Sequence, residues 1–338
     1  MDRISNESFT QPRTGSILGR MTASPRRSTL TLGLLVGILA VSTASIFIRF
    51  AQHEGAPSVV IAAARLTIAS LMLAPIALTR YCHELRQLTR REWILALLSG
   101  VFLALHFAVW ITSLQYTSVA SSVVLVTTTP LWVALFSPMV LRERLGAAAF
   151  AGLALALTGG AVVGLSDACT WQAGTVSQSA PLGVCPPAAS LFGGTAFLGD
   201  FLALAGAWMA AGYMLVGRKL RAKMDLIPYI FVVYGMSAVV LIAIMLGMEE
   251  SPFGFSPQTY LWFALLALVP QLLGHSIFNW SLKYIPASLV SVTLLGEPVG
   301  STVLAYFILQ EQPGWIKIGG AVLILAGIWL TSRSEKGL

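Results

Sequence analysis

Charge is what this sequence has least of. Asp, Glu, Lys and Arg make up 10% of its 338 residues, where a soluble domain carries about a quarter. Hydrophobic residues make up 56%, and mean hydropathy is +0.79. This scarcity excludes an ordinary water-soluble domain; a chain so apolar needs lipid as its solvent. Enzyme signatures are missing as well. There is no P-loop, HExxH, paired CxxC or G-x-S-x-G, so ATP-driven transport and zinc hydrolysis lack their parts, and no metal or cofactor site is legible. The net charge of +7 would suggest nucleic acid in a soluble protein. Here the cations fall in short loops, where they signal membrane orientation instead of a nucleic-acid partner.

What is present is long apolar runs. About 20 such residues cross the hydrocarbon core as a helix. Ten segments meet that length: Leu30–Phe50, Pro57–Leu78, Trp93–Gln115, Val119–Met139, Gly146–Leu165, Thr195–Val216, Ile227–Gly247, Tyr260–Lys283, Pro286–Leu309 and Trp315–Ser332. Helix is the expected form, because lipid cannot satisfy an open sheet edge. The expected fold is all-α and polytopic. Alternate loops hold Arg80, Arg86, Arg90, Arg91, Arg142, Arg144, Arg218, Lys219, Arg221, Lys223 and Lys283, whereas the opposite set holds Arg49 and Lys317. Both termini are therefore expected in the cytoplasm, with the chain in the cell membrane. Trp93, Trp315 and Trp329 suit interfacial anchors.

Residues 1–28 read as a disordered cytoplasmic tail, with Met21 a second candidate start. The first apolar run lacks a cleavage site, so no signal peptide is expected. Residues 167–194 form an outer loop without Lys or Arg, and 334–338 a short inner tail. Cys169 and Cys185 share that loop and are a candidate disulfide, the alternative being two free thiols.

The chain also repeats itself. The stretch beginning "SLQYTSVASSVVL" at Ser113 aligns without a gap on "SLKYIPASLVSVT" at Ser281. In that register Tyr116 meets Tyr284, Pro130 meets Pro298 and Glu143 meets Glu311. Further on, Gly152 meets Gly320 and Gly159 meets Gly327. The halves are 29–166 and 195–333, five spans each. An odd number makes the second half run upside down relative to the first. Such inverted repeats are the architecture of alternating-access carriers, with substrate held between the halves near the midplane.

These stretches, with the "GEP" of the ninth segment and the "QEQPG" that ends it, resemble the drug/metabolite transporter superfamily, EamA type. The resemblance covers roughly Leu30 to Thr331. It implies ten helices around a central cavity, with the fourth and ninth crossing near its middle. It also implies transport of small organic metabolites such as amino acids, with export common among bacterial members. It does not specify the substrate.

Polar groups inside a membrane are expensive, and each is a functional candidate. Glu297 lies mid-segment, followed by Pro298 and flanked by Gly296 and Gly300. It reads either as a carboxylate that exchanges a proton or binds a substrate amine, or as a carboxyl bonded to backbone freed by the proline kink. Its counterpart in the first half is Thr129, beside the matching proline, Pro130; the two prolines, with Gly296 and Gly300, are candidate hinges. Gln271, His275 and Asn279 recur every four residues on one helical face. They read as cavity lining or as interhelical hydrogen bonding. His106 and Trp110 form an i, i+4 pair in the third segment, able to stack on a flat or cationic ligand or to pack the core. Arg65 is expected to pair with Glu297, bind a substrate carboxylate, or snorkel outward. Tyr234 stands opposite Arg65 in the alignment of the halves. Asp200 reads as a helix-end carboxylate. Gly160 and Gly164 form a GxxxG that points to a homodimer contact. The competing function classes are an intramembrane enzyme using Glu297 and the two histidines, and a receptor or scaffold on a carrier-like fold.

Overall fold

A computed structural model of the chain describes residues 25–140, 147–168 and 194–334. The candidate disulfide Cys169–Cys185 and most of the polar tail and outer loop lie outside the described residues. So do Arg142, Glu143 and Arg144. Among the described residues every regular element is helical, and Cys82 is a free thiol.

The first half comprises α1 (Arg27–Ser42), α2 (Ala44–His53), α3 (Ser58–Arg80), the short α4 (Cys82–Gln87), α5 (Arg90–Tyr116), α6 (Val119–Val126), α7 (Thr129–Val140) and α8 (Ala147–Ala168). The second comprises α9 (Thr195–Arg221), α10 (Leu226–Gly247), α11 (Pro257–Leu266), a π-helical stretch Ala267–His275, and α12 (Ser276–Ser281). After these come α13 (Ala287–Thr293), α14 (Gly296–Leu304), a second π-helical turn Ala305–Leu309, and α15 (Trp315–Ser334).

Local chemistry sets these ends. Thr89 caps α5 by accepting from Glu92 N, while the Glu92 carboxylate accepts from Thr89 N, a reciprocal capping box. Ser118 caps α6 and Ser256 caps α11, the latter with Pro257 in the first turn. The α1–α2 break follows two hydroxyls that bond back to their own helix, Ser42 to Ile38 O and Thr43 to Ala40 O, each at 2.8 Å. Such back-bonding bends helices.

Among the described residues seven runs are long and apolar enough to cross a bilayer: Ser28–His53, Ser58–Arg80, Arg90–Tyr116, Val119–Val140, Thr195–Arg221, Leu226–Gly247 and Pro257–Ser281. Three of the ten expected segments fall outside that set. The fifth and tenth are each a single helix, α8 and α15. The ninth is divided among α13, α14 and the second π-helical turn.

The two halves break at matching places. The fourth segment turns at residues 127–128 and the ninth at 294–295, each just before its proline. Proline removes a donor and crowds the carbonyl four residues back. In the first half that carbonyl is Val126 O, and Thr129 Oγ1 donates to it at 2.8 Å. In the second half it is Leu294 O, which accepts from Glu297 N at 2.9 Å.

The closest helix pairing also obeys the repeat. A Cβ built on Gly159 would stand 2.6 Å from Gly320 O, and one on Gly327 would stand 2.5 Å from Gly152 O. Since Gly152 corresponds to Gly320 and Gly159 to Gly327, the two contacts exchange partners under the repeat. A two-fold axis generates that exchange, as in any isologous interface. The equivalent helices α8 and α15 thus cross in opposite directions, backbone against backbone. Other prominent packings join α5 to α9 and α3 to α10.

Candidate functional site

Polar side chains gather at mid-bundle because the helices are broken or widened there. A cavity opens where α5, α9, α12 and the two proline breaks converge. Six of the candidate residues line it: His106, Trp110, Thr129, His275, Asn279 and Glu297. Tyr213, Thr127, Leu103, Met214, Phe278 and Leu282 complete much of the wall. Three candidates stand behind it: Gln271, Arg65 and Tyr234, all fully buried.

Each polar group is held differently. His106 bonds Gly206 O through Nδ1 at 2.9 Å and stacks on Trp110 at 5.8 Å between ring centroids. His275 sets its ring edge-on to Phe107 at 5.3 Å. Asn279 joins two tyrosines, accepting from Tyr213 Oη at 2.6 Å and donating to Tyr234 Oη at 3.3 Å. Tyr234 also meets Ser276 Oγ at 3.3 Å. Replacing Tyr213 with Phe strands the buried Asn279 oxygen. The expected cost is about 1–2 kcal/mol, read as a lower thermal midpoint in detergent.

Two charges stand out. The Glu297 side chain has no hydrogen bond or ion pair among the described residues, and it faces the cavity. It does not bond the backbone freed by the kink; its own amide does that. Arg65 lies wholly inside the protein with no exposed surface, so it does not snorkel. Nε donates to Gln271 Oε1 at 2.8 Å, and the guanidinium carbon sits 4.1 Å over the Phe107 ring. Nη1 and Nη2 have no partner, and neither do Gln271 Nε2 or Trp110 Nε1. Arg65 and Glu297 form no salt bridge. The cavity therefore offers a carboxylate in its wall, a guanidinium just behind it, and two stacked rings beside them.

The hinge glycines have a packing role. A Cβ on Gly296 would come within 2.6 Å of Ile38 Cγ2, and one on Gly300 would collide with Ser42 Oγ. They let α1 press against α14. Gly160 has only Leu125 nearby, at 3.7 Å. Asp200 is buried and accepts from Thr117 Oγ1 at 2.9 Å.

One end of the bundle is laced by charges. Arg49 donates to Thr117 O at 2.8 Å and pairs with Glu311 at 3.5 Å. Glu311 accepts from Val119 N at 3.0 Å, and Lys317 donates to Ser118 Oγ at 2.9 Å. These bonds tie α2 and the α5–α6 corner to the end of the ninth segment and the start of α15. At the other end Arg218 bonds Leu282 O, Arg221 bonds Asn279 O, and Lys283 pairs with Asp225 at 3.1 Å. The cavity extends toward this second end through Phe278 and Leu282.

Sequence reasoning missed Phe107, which carries the Arg65 contact, and Ser276, which completes the tyrosine string. Nothing distinguished them: one is an apolar residue among many in its span, the other a small residue that membrane helices tolerate. Among the described residues no three His, Cys, Asp or Glu side chains are grouped to hold a metal ion.

Comparison with known proteins agrees with this architecture. The profile of the EamA-like transporter family matches twice, over residues 29–165 and 197–333. The chain is 26% identical over 311 residues to the pseudopaline exporter of Pseudomonas aeruginosa, covering 91% of this chain and 98% of the relative. It is 22% identical over 250 residues to an uncharacterised transporter of Archaeoglobus fulgidus, covering 72% and 78%. A solved protein structure superposes with a TM-score of 0.61 at 20% identity, over 90% of this chain and 96% of that one, and supports the fold alone. With all-helical architecture, seven membrane-length runs and two family repeats, the chain belongs to the EamA-like transporter family of membrane proteins.

Proposed function

We propose that this chain is a secondary carrier that exports small organic metabolites from the cell by alternating access. The reading takes the ten helices as two inverted five-helix halves with both termini cytoplasmic. The exporter relative supports the outward direction. The observation that carries the reading is the unpartnered Glu297 carboxylate in a cavity between the halves. A charge in that position is costly unless it is used. Its use here is to hold a cationic group of the substrate or to exchange a proton for it, so that the proton gradient drives efflux. Thr129, His106, Trp110, His275 and Asn279 shape the pocket around it. Pro130 and Pro298 mark the two places where a broken helix can bend as the halves rock. On this reading the Arg49–Glu311 lacing holds the outer end closed and leaves the cavity to the cytoplasmic side.

Two measurements test this. Purified protein in liposomes is expected to show proton-dependent counterflow of an amine-bearing metabolite; its absence over a broad metabolite panel would sink the carrier reading. Glu311→Gln is expected to loosen the outer end. A cysteine placed at the buried Ser301 in a cysteine-free background should then react about fivefold faster with an impermeant maleimide added outside, since partly exposed ion pairs contribute roughly 1 kcal/mol. An unchanged rate would remove the lacing from the mechanism.

A further inference from the structure

We propose that the outer end of the bundle carries a second binding site, a recess walled by the α2–α3 turn, α5 and the end of α10 that takes the ammonium group of a small amine. Calling that end outer rests on the orientation proposed above; the recess and its chemistry do not.

The recess has a volume of about 440 Å³, a size typical of small-molecule sites. It shares no lining residue with the central cavity. The partition is α5. His106 and Trp110 face the cavity, whereas Ala108 and Thr112, two positions along, stand on the other side of the helix and line the recess. From the exposed Tyr116 down to Ala108 the wall runs about 12 Å along α5.

The inner polar groups of this wall are left with acceptors. Gln52 Nε2 donates to Ser58 Oγ and to Ile111 O, both at 3.0 Å. A carbonyl can only accept, so the amide nitrogen has to face Ile111 O, and this settles where the Gln52 oxygen lies. That oxygen has no partner. Ser58 Oγ donates to Ile111 O at 3.3 Å, and Thr112 Oγ1 donates to Ala108 O at 2.7 Å. Both hydroxyl protons are engaged, and lone pairs remain.

Charge points the same way. Glu250 is in the wall, and its side chain makes no hydrogen bond or ion pair among the described residues. No Lys, Arg or His lines the recess. Ile244 and Met248, also in the wall, belong to the C-terminal turn of α10. A helix C-terminus carries partial negative charge, which favours a cation and opposes an acid. The chain nonetheless places Glu249 and Glu250 there. Glu249 takes a left-handed conformation, φ 59°, where glycine is at home. The turn lets Glu250 N donate to Met245 O at 3.0 Å and holds Glu250 beside the recess. Tyr116 adds a ring face at the mouth. An ammonium has three donors and no acceptor, which complements this wall. A carboxylate meets no cation there and is refused.

The experiment uses the full chain with its three cysteines replaced and Ala108→Cys as reporter at the inner end of the recess. Labelling of that cysteine by a neutral maleimide is timed in detergent at neutral pH while n-butylammonium is added. The amine is expected to slow labelling in proportion to occupancy. Butyrate and butanol should leave the rate unchanged. Tetramethylammonium, a cation without donors, should protect about 10-fold more weakly. Glu250→Gln should raise the protecting concentration about fivefold. Glu249→Gln, the neighbouring acid outside the wall, should raise it by less than about twofold. Glu297→Gln should leave protection unchanged, which separates this site from the central cavity. Transport is not measured, so a failed counterflow and a failed protection remain distinct results. If Ala108→Cys does not fold, Thr112→Cys reports from one turn above.

The ammonium head group of phosphatidylethanolamine presents the same chemistry as a free amine. Phosphatidylglycerol liposomes with and without that lipid name the source. Slower labelling with the lipid present assigns the head group, an equal rate assigns a soluble amine, and both keep the site. Four results would overturn the proposal: no protection by butylammonium, equal protection by any of the other three probes, protection indifferent to Glu250→Gln, or protection lost in Glu297→Gln.

Discussion

Replacing Glu297 with Gln is expected to reduce transport by about 100-fold or more while leaving thermal stability no lower than before. The two halves of that expectation have separate causes. Gln has nearly the same shape, so the contacts of α14 with α1 survive, including the close approach at Gly296 and Gly300. The side chain makes no hydrogen bond or ion pair among the described residues, so its removal breaks none. An uncompensated charge away from water costs several kcal/mol, and the amide is relieved of that cost. Under the proposed mechanism, transport loses the group that alternates between proton and cargo. An amide can do neither, and a loss of about 3 kcal/mol in the coupled step is roughly 100-fold. Counterflow in liposomes and thermal unfolding in detergent, run side by side, decide the matter. Full activity in the variant would remove Glu297 from the mechanism. Lost activity with a collapsed midpoint would make it a structural residue.

The second large effect is expected at the α8–α15 crossing. A Cβ on Gly159 would be 2.6 Å from Gly320 O and 2.7 Å from Ile324 N; one on Gly320 would be 2.8 Å from Val163 Cγ2 and 2.9 Å from Gly159 O. Real side chains do not approach backbone so closely, and a helix axis has no rotamer by which to yield. Gly159→Leu and Gly320→Leu should each destabilise by about 3 kcal/mol or more, read as loss of the monodisperse peak in size-exclusion chromatography. Gly319→Leu is the control: nothing lies within 4 Å of its Cβ, so the peak should be retained. If Gly320→Leu behaved like Gly319→Leu, the intimate crossing of α8 on α15 would be wrong.

The helical class and the repeat were legible because each leaves a mark in linear sequence. Long apolar runs with charges confined to loops specify lipid-spanning helix. An ungapped register from Ser113 onward specifies the duplication, and its glycines recur in the structure as the exchanged contacts at α8 and α15. Among the described residues seven segments meet the length and hydropathy of a bilayer span, against ten expected. The ninth, outside that set, is broken at residues 294–295 and widens to a π turn at Ala305–Leu309. No periodicity count anticipates such breaks.

The polar row Gln271, His275, Asn279 shows the same limit. Regular 3.6-residue spacing puts all three on one face. The segment from Ala267 to His275 is instead π-helical around Pro270, and the wider turn changes the angle between Gln271 and the other two. His275 and Asn279 reach the cavity wall; Gln271 turns to Arg65. The choice among three roles for Arg65 was equally out of reach, because burial, the Phe107 ring and the Gln271 bond are tertiary facts.

The paired helix breaks carry a consequence for how a duplicated scaffold acquires chemistry. At one break the threonines Thr127, Thr128 and Thr129 donate their hydroxyl protons to their own helix, so that site mends itself and has only acceptor lone pairs left to offer a guest. At the mirror site an acid stands where the last of those threonines would be, and its backbone amide does the mending. Under the proposed function, one copy is thereby committed to shape and the other is released to meet cargo. Exchanging the two residues, Thr129→Glu with Glu297→Thr, would move the working group to the opposite lobe and ask whether the machine runs as well in reflection.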